Sequence, residues 1–396
     1  MAKTTKEKVI KEKSGKITKE QQDDNLAFDV LSIINKQFKE FPDAAQFLCH
    51  ANMVPEWIST GCDILDLAIS NRPDGGLPCS KVVEMSGLEG SSKSLLAAHV
   101  LAECQKKGGI AVLYDTEGAV GMLDFYKSIG LDIDKLIYID KVRALEEIYS
   151  SIESIIEKTV LANKDVPVVI VVDSVMGATT LKELEEDYEK KGYATEKSII
   201  NSGAMRKMPS LLNGRKILLI LINQLRANMN AVGFGADPYQ VTGGNAIPFT
   251  ASVRLRFKKM GQIKGKINGI ETSIGERIQV QIVKNRVGPP RRKVVYDIRY
   301  ESGIDNYGSW LTVLKDLGAL SSSGSSYSYK YVNEHAEEIT VKFQSKDFKK
   351  LLRDTPGLKD LIYSQICDAY IMKYELGDNE EELGIDDVVL DSGEEE

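Results

Sequence analysis

At 396 residues, 42% hydrophobic and 28% charged, the chain has the composition of a globular protein with a sizeable core and more than one domain. No apolar run reaches membrane-spanning length and no hydrophobic signal segment follows the lysine-rich N-terminus, so no membrane association is expected. The five cysteines (Cys49, Cys62, Cys79, Cys104, Cys367) are scattered without a C-x-x-C pair, and the histidines number three, which points to plain thiols in a reduced compartment and to no zinc site. The net charge of −7 is unevenly placed: residues 378–396 hold ten acids and no base, leaving a body of 48 acids and 51 bases. A mildly basic body with an acidic tail suits a polyanion binder whose tail competes for the basic surface. A solubilising tail is the plainer alternative.

In chain order, residues 1–25 carry seven lysines and no aromatic residue, the pattern of a flexible basic arm. From 26 to 41 the apolar Leu26, Val30, Ile33, Ile34, Phe38 and Phe41 recur at helical spacing until Pro42, predicting an amphipathic helix that docks on its own body or on a neighbouring subunit. Residues 82–94, VVEMSGLEGSSKS, are an apolar run, a glycine-bearing loop and Lys93-Ser94 ahead of a helix-like stretch. That is the layout of a phosphate-binding loop, in which helix N-terminal N–H groups face phosphates, a lysine reaches the outer ones and a hydroxyl holds Mg²⁺. Gly87, Lys93 and Ser94 fit G-x-x-x-x-G-K-[ST], whereas Ser92 stands where the second glycine belongs.

Beyond it, apolar runs alternate with helical ones: 110–114, 136–139, 168–172 and 217–222 as strands, 144–161 and 199–212 as helices. This predicts a parallel α/β sheet with its ligand at the carboxyl ends of the strands. Polar residues gather at those ends: Asp115-Thr116-Glu117, Asp173-Ser174 and Asn223-Gln224. An acid after a buried strand is placed to hold a metal's water near a nucleotide, and three such ends are more than helix caps require. A Gly/Asn-rich stretch from 225 to 242, without periodicity, reads as a functional or mobile loop, with Arg226, Met229 and Phe234 suited to phosphates and bases. Val280–Val283 reads as a strand delivering Lys284 and Arg286 to a phosphate or to a solvated edge. After Trp310, residues 321–328 read as a serine-rich linker, 329–343 as a hairpin, and 347–352 and 358–374 as helices.

Together these stretches resemble the RecA/UvsX family of bacterial and phage recombinases. Trp57-Ile-Ser-Thr-Gly61, Leu65-Asp66 and Gly75-Gly-Leu-Pro78 are similar to the family's entry into its ATPase core. Asp115-Thr-Glu117, Val171-Val-Asp-Ser174, Ala204-Met-Arg-Lys207, Ile222-Asn-Gln-Leu-Arg226 and Thr242-Gly-Gly-Asn-Ala246 follow in the family's order. So do Ala251-Ser-Val-Arg254, Val283-Lys-Asn-Arg286 and Gly303-Ile-Asp-Asn-Tyr-Gly308, within a likeness spanning residues 26–320. The resemblance implies a RecA-like P-loop NTPase core, a mostly parallel twisted sheet flanked by helices, over 57–320. It further implies an N-terminal oligomerisation helix and linker over 26–56, a small α+β C-terminal domain over 321–377 and a disordered acidic tail over 378–396.

The implied function is a DNA-dependent ATPase that polymerises on single-stranded DNA as a helical filament and catalyses homologous pairing with double-stranded DNA. Its setting is a bacterial cytoplasm, or a host's if the chain is phage-encoded, towards which the chain's size and altered loop lean. ATP and Mg²⁺ are the implied cofactors, and single-strand-binding and mediator proteins the implied partners. Carried over residue by residue, Gly87, Leu88, Glu89, Gly90, Ser91, Ser92, Lys93 and Ser94 cradle the phosphates. Ser94 holds Mg²⁺, Asp173 binds the metal's water, and Glu117 orients or deprotonates the attacking water. Gln224 senses the γ-phosphate. Lys284 and Arg286 reach the neighbouring subunit's ATP. Arg226, Met229, Phe234, Gly243, Gly244 and Asn245 meet DNA, with the 185–193 stretch a weaker match to a second DNA loop. Phe28, Ile34, Phe38, Phe249 and Arg254 lie at the subunit contact. The adenine-stacking aromatic is either Phe125 or Tyr126, and Pro248 departs from the bacterial pattern. A ring-forming helicase-like motor and a paralogue that binds ATP without turnover are the alternatives on the same fold.

Overall fold

A computed structural model of the chain describes residues 19–38, 45–48, 54–118, 120–121, 123–185, 193–228, 238–323, 326–332 and 337–374. The arm up to residue 18, Met229, Phe234, the 186–192 stretch and the acidic tail lie outside these. The chain divides near residue 53 into an N-terminal unit and a main body. In the first, the expected helix is present as Lys19–Gln37, extended at its start by the good helix formers Lys19, Glu20 and Gln21. Phe28 meets Phe47 edge-on with ring centroids 4.9 Å apart, and the Asn35 side chain exchanges hydrogen bonds with the Ala45 backbone. Phe28 and Phe38 are exposed and Ile34 is half-buried.

The main body is organised by one large twisted sheet. Its parallel half runs Lys81–Gly87, Ile217–Ala227, Val168–Asp173, Ile110–Asp115 and Ile137–Ile139, in that spatial order. On the other flank of Lys81–Gly87 the strand Val253–Ile267 adds in parallel, and Ile270–Asn285, Lys293–Arg299 and Gly303–Ile304 follow antiparallel. The parallel strands are near-continuous apolar runs because helices cover both faces. Consecutive residues feed opposite cores: Val83, Met85, Leu113, Val171 and Ile220 pack under the helix Lys93–Lys106. Val82, Val112, Ile170, Val172 and Leu221 pack under the helices Leu145–Ala162 and Tyr193–Leu212. The sheet thereby ends all its parallel strands on one edge, where Gly87, Asp115, Asp173 and Gln224 emerge.

Two sequence expectations need correction. Only 280–283 read as a strand, yet Val253–Ile267 and Ile270–Asn285 form a hairpin of 15 and 16 residues closed by Asn268-Gly269. Both turn residues have positive φ (52° and 86°), the signature of the tight turn that asparagine-glycine favours. The serine-rich stretch is not a linker: Leu320–Ser323 and Ser326–Val332 are strands, which with Glu338–Gln344 make a three-stranded antiparallel sheet. Tyr329, Phe343 and Phe348 from this region, with Ile362 of the helix Leu358–Tyr370, bury in the same core as the main sheet. Trp310 stacks on Tyr363 (5.6 Å, 22°), and Arg292 donates to the Tyr370 carbonyl at 2.8 Å.

Candidate active site

The phosphate loop begins where Lys81–Gly87 leaves the sheet and ends where the helix Lys93–Lys106 starts. Leu88, Glu89 and Gly90 form its exposed apex, and Ser91, Ser92 and Lys93 are buried. Gly87 cannot carry a side chain here, since a Cβ would lie 2.5 Å from Ser91 Oγ and 3.0 Å from the Phe257 carbonyl. Ser92 adopts the left-handed conformation (φ 65°, ψ 24°) that the pattern assigns to glycine, and its Oγ donates to Glu276 Oε2 at 3.0 Å. Lys93 Nζ donates to the carbonyls of Gly87 (3.2 Å) and Leu88 (2.8 Å) and to Ser91 Oγ (3.3 Å). Burial pulls the Lys93 ammonium below its usual range, against the opposing pull of Asp173, Glu117 and Glu89. A lysine held at the loop, with a helix N-terminus whose first N–H groups have no partner within the helix, is a donor set matched to a polyphosphate.

The adjacent strand ends complete the site. Asp173 is pushed up to about 6 by burial, opposed by a hydrogen bond from Ser94 and reinforced by Glu117. Ser94 and Asp173 bring a hydroxyl and a carboxylate together, oxygen donors of the class that suits a magnesium ion. Glu117, exposed to solvent, receives on one oxygen two donors from two different strand ends: Ser174 Oγ at 2.6 Å and Gln224 Nε2 at 2.9 Å. Ser174 is itself fixed by the Gly177 N–H (3.1 Å) and by two bonds with Thr116. Asp115, the other strand-end acid, is taken by the Tyr138 hydroxyl (2.9 Å) and the Glu117 and Val120 N–H groups. A small cavity beside them is lined by Ser94, Asp115, Val120, Tyr126, Leu131 and Asp173. Tyr126 thus borders the cavity, whereas Phe125 turns inward against His99 at 6.3 Å.

Gln224 also stands at the root of the 225–242 stretch. The strand Ile217–Ala227 continues past it and pairs antiparallel with Tyr239–Val241, placing exposed Arg226 opposite Gln240. Thr242 Oγ1 donates to the Gln224 carbonyl at 3.3 Å, and Asn201 Nδ2 donates to the Gly243 carbonyl at 3.2 Å. Gly243 and Gly244 both have φ of 87°, so the turn out of the stem needs glycine. Exposed Asn245 follows, leading into the short helix Ala246–Thr250.

Lys284 and Arg286 are not gathered with this chain's own loop. Lys284 Nζ donates to the carbonyls of Pro248 (2.9 Å) and Phe249 (2.7 Å), and Arg286 reaches the Phe249 carbonyl at 3.4 Å. Burial, then Arg286 and Arg254, lower the Lys284 ammonium. Phe249 is exposed beside them. Arg254, expected at a subunit contact, is paired inside the chain with Glu84, whose side chain is fully buried and also accepts from Asn223 Nδ2 at 3.3 Å. Sequence reading placed Ser174 at a polar strand end without giving it a role, and gave none to Glu84 or Glu276. Glu84 left a signal of its own, an acid flanked by Val82, Val83 and Met85 in the strand Lys81–Gly87.

With this geometry in view, comparisons with known proteins agree. A family model of the RecA N-terminal domain matches residues 28–305. The chain is 34% identical over 306 residues to Protein RecA of a Wolbachia of Brugia malayi, covering 77% of this chain and 81% of that one. Against Protein RecA of the Wolbachia of Culex pipiens it is 35% identical over 272 residues (69% and 72%), and against that of a Nitratiruptor species 32% over 335 residues (85% and 87%). These are bacterial proteins, and they lend no support to the phage-encoded expectation. The chain belongs to the RecA family and is a RecA-type recombinase, a DNA-dependent ATPase of strand exchange.

Proposed function

We propose that Glu117 is the catalytic base of ATP hydrolysis and that Gln224 ties its readiness to the DNA-binding stem. The observation that carries this is the pair of donors, Ser174 and Gln224, converging on one Glu117 oxygen. They orient the carboxylate so that its other oxygen is available to an attacking water. Lys93 and the N–H groups of the loop hold the phosphates of ATP. Magnesium held by Ser94, with Asp173 binding its water, would screen the charge of the β- and γ-phosphates. Tyr126 is the better placed of the two aromatics to line the nucleotide site, since Phe125 is committed to His99.

A γ-phosphate that competes for the Gln224 amide would loosen its bond to Glu117. The same residue would then shift the stem of Arg226, Gly243, Gly244 and Asn245, which in this reading contacts single-stranded DNA. Reciprocity requires that DNA on the stem bias the Gln224–Glu117 contact in turn. Lys284 and Arg286, turned away from their own loop, act on the ATP of the next subunit in a helical filament, beside an interface formed by Phe249 and by the N-terminal helix with Phe28, Ile34 and Phe38. Single-strand-binding and mediator proteins are its partners, and the cytoplasm, where the DNA lies, is its setting.

The test is ATP turnover with and without single-stranded DNA for the wild type and Glu117→Gln, with the same samples imaged by negative stain. DNA-stimulated turnover that disappears in the variant while helical filaments persist is the expected result. Closed rings would contradict the filament, and equal turnover in the variant would remove Glu117 from catalysis.

A further inference from the structure

Ser92 occupies the second of the two positions where the phosphate-binding pattern demands glycine, and the chain keeps the glycine-like backbone there, φ 65° and ψ 24°. A residue with a Cβ is disfavoured in that conformation, so something outside the loop must hold it. The only side-chain hydrogen bond that Ser92 makes among the described residues is to Glu276, 184 positions later on the hairpin strand Ile270–Asn285. The acceptor is itself prepared: Lys259 and the Tyr300 hydroxyl both donate to Glu276 Oε1, the latter at 3.1 Å, leaving Oε2 to Ser92 at 3.0 Å. Both Ser92 and the hydroxyl's partner are sheltered, Ser92 being 8% exposed, and a charged acceptor makes the bond stronger than a neutral one.

From this geometry we infer that Glu276 is a positioning residue for the phosphate loop, and that the Ser92–Glu276 bond replaces what glycine supplies elsewhere. Glycine reaches the left-handed turn by lacking a side chain. Ser92 reaches it because its hydroxyl is anchored on the antiparallel half of the sheet. Without the anchor, the loop spends most of its time in conformations with a negative φ at Ser92, and nucleotide affinity falls by the fraction of competent loops. The inference rests on the nucleotide-binding role proposed for this loop. It predicts a dependence that runs one way: Glu276 matters to the nucleotide only while residue 92 has a side chain.

The experiment titrates the full-length protein with a fluorescent ATP analogue and Mg²⁺, comparing wild type, Ser92→Ala, Ser92→Gly, Glu276→Ala and the double variant Ser92→Gly/Glu276→Ala. Losing a hydrogen bond to a charged acceptor weakens binding by about tenfold, so Ser92→Ala and Glu276→Ala should each raise Kd by about that factor. Ser92→Gly should bind more tightly than Ser92→Ala, and adding Glu276→Ala to it should change Kd by less than about twofold. A general loss of structure in Glu276→Ala would survive in the glycine background, so rescue there separates positioning from folding. Equal losses from Glu276→Ala in both backgrounds would overturn the inference, as would unchanged binding in Ser92→Ala. Absence of binding by the wild type itself would instead refute the nucleotide-binding role of the loop.

Discussion

Glu117 and the pair Lys284 and Arg286 are solved in opposite ways. Glu117 is completed within its chain: Ser174 and Gln224 come from neighbouring parallel strands and meet on one oxygen. Among the described residues, the side chains of Lys284 and Arg286 donate to the carbonyls of Pro248 and Phe249, beside an exposed phenylalanine and away from their own phosphate loop. These bonds hold both cations on main-chain carbonyls and give them no carboxylate partner, which suits the anion-binding role proposed for them. Under the proposed roles, the contrast means that the water-activating half of the site is finished by folding and the charge-stabilising half by assembly.

The sharpest way to break that contrast is to remove the assembled half. Lys284→Ala with Arg286→Ala should lower DNA-stimulated turnover by about 10³-fold or more, the scale of an arginine finger, while single-subunit binding of a fluorescent ATP analogue persists. Loss of that binding would instead place both residues in their own chain's pocket. Next in size, Glu117→Gln should cost about 10²–10⁴ in kcat, as expected for a general base, with ATP affinity largely retained. A rise in KM at unchanged kcat would count against the assignment.

Arg254 then separates interface from core. Because Glu84 is fully buried, Arg254→Ala leaves a carboxylate without its cation and should destabilise the fold by about 3–5 kcal/mol in urea unfolding. Unaltered stability with lost filaments would return Arg254 to the subunit contact. The smallest effect concerns His99, whose Nε2 accepts the Ile304 N–H at 3.1 Å and which burial pushes down to about 4. The unfolded chain takes up that proton near pH ~6.5, the folded one only near 4. Between those values the unfolded state binds more protons, so His99 lowers stability as pH falls, by up to about 1.4 kcal/mol per pH unit. His99→Gln keeps an acceptor for Ile304 and should flatten the acid limb of a urea-midpoint curve. An unchanged limb would mean that His99 does not carry that proton difference.

The parallel half of the sheet was readable because strands buried on both faces leave unbroken apolar runs, and the polar residue ending each run marks the ligand edge. Asp115, Glu117, Asp173 and Gln224 followed from that alone. The long hairpin was not readable: from Lys258 to Thr272 it is largely exposed on both faces, so neither a continuous run nor an alternation announces it. Ser321 and Ser328 looked like linker for the same reason, since a strand held by its neighbours needs little apolar content. Contacts such as Ser92–Glu276 and Arg254–Glu84 join residues distant in sequence, and only the register of the sheet brings them together.

Mixing the two inactive variants tests the division of labour most directly. Glu117→Gln supplies intact Lys284 and Arg286, and Lys284→Ala/Arg286→Ala supplies an intact Glu117. Combined at equal amounts on single-stranded DNA, they should recover about a quarter of wild-type turnover, because about one junction in four joins a competent base to competent cations in the required order. No recovery from a mixture that still forms filaments would contradict the account, placing all three residues in the service of a single chain's ATP.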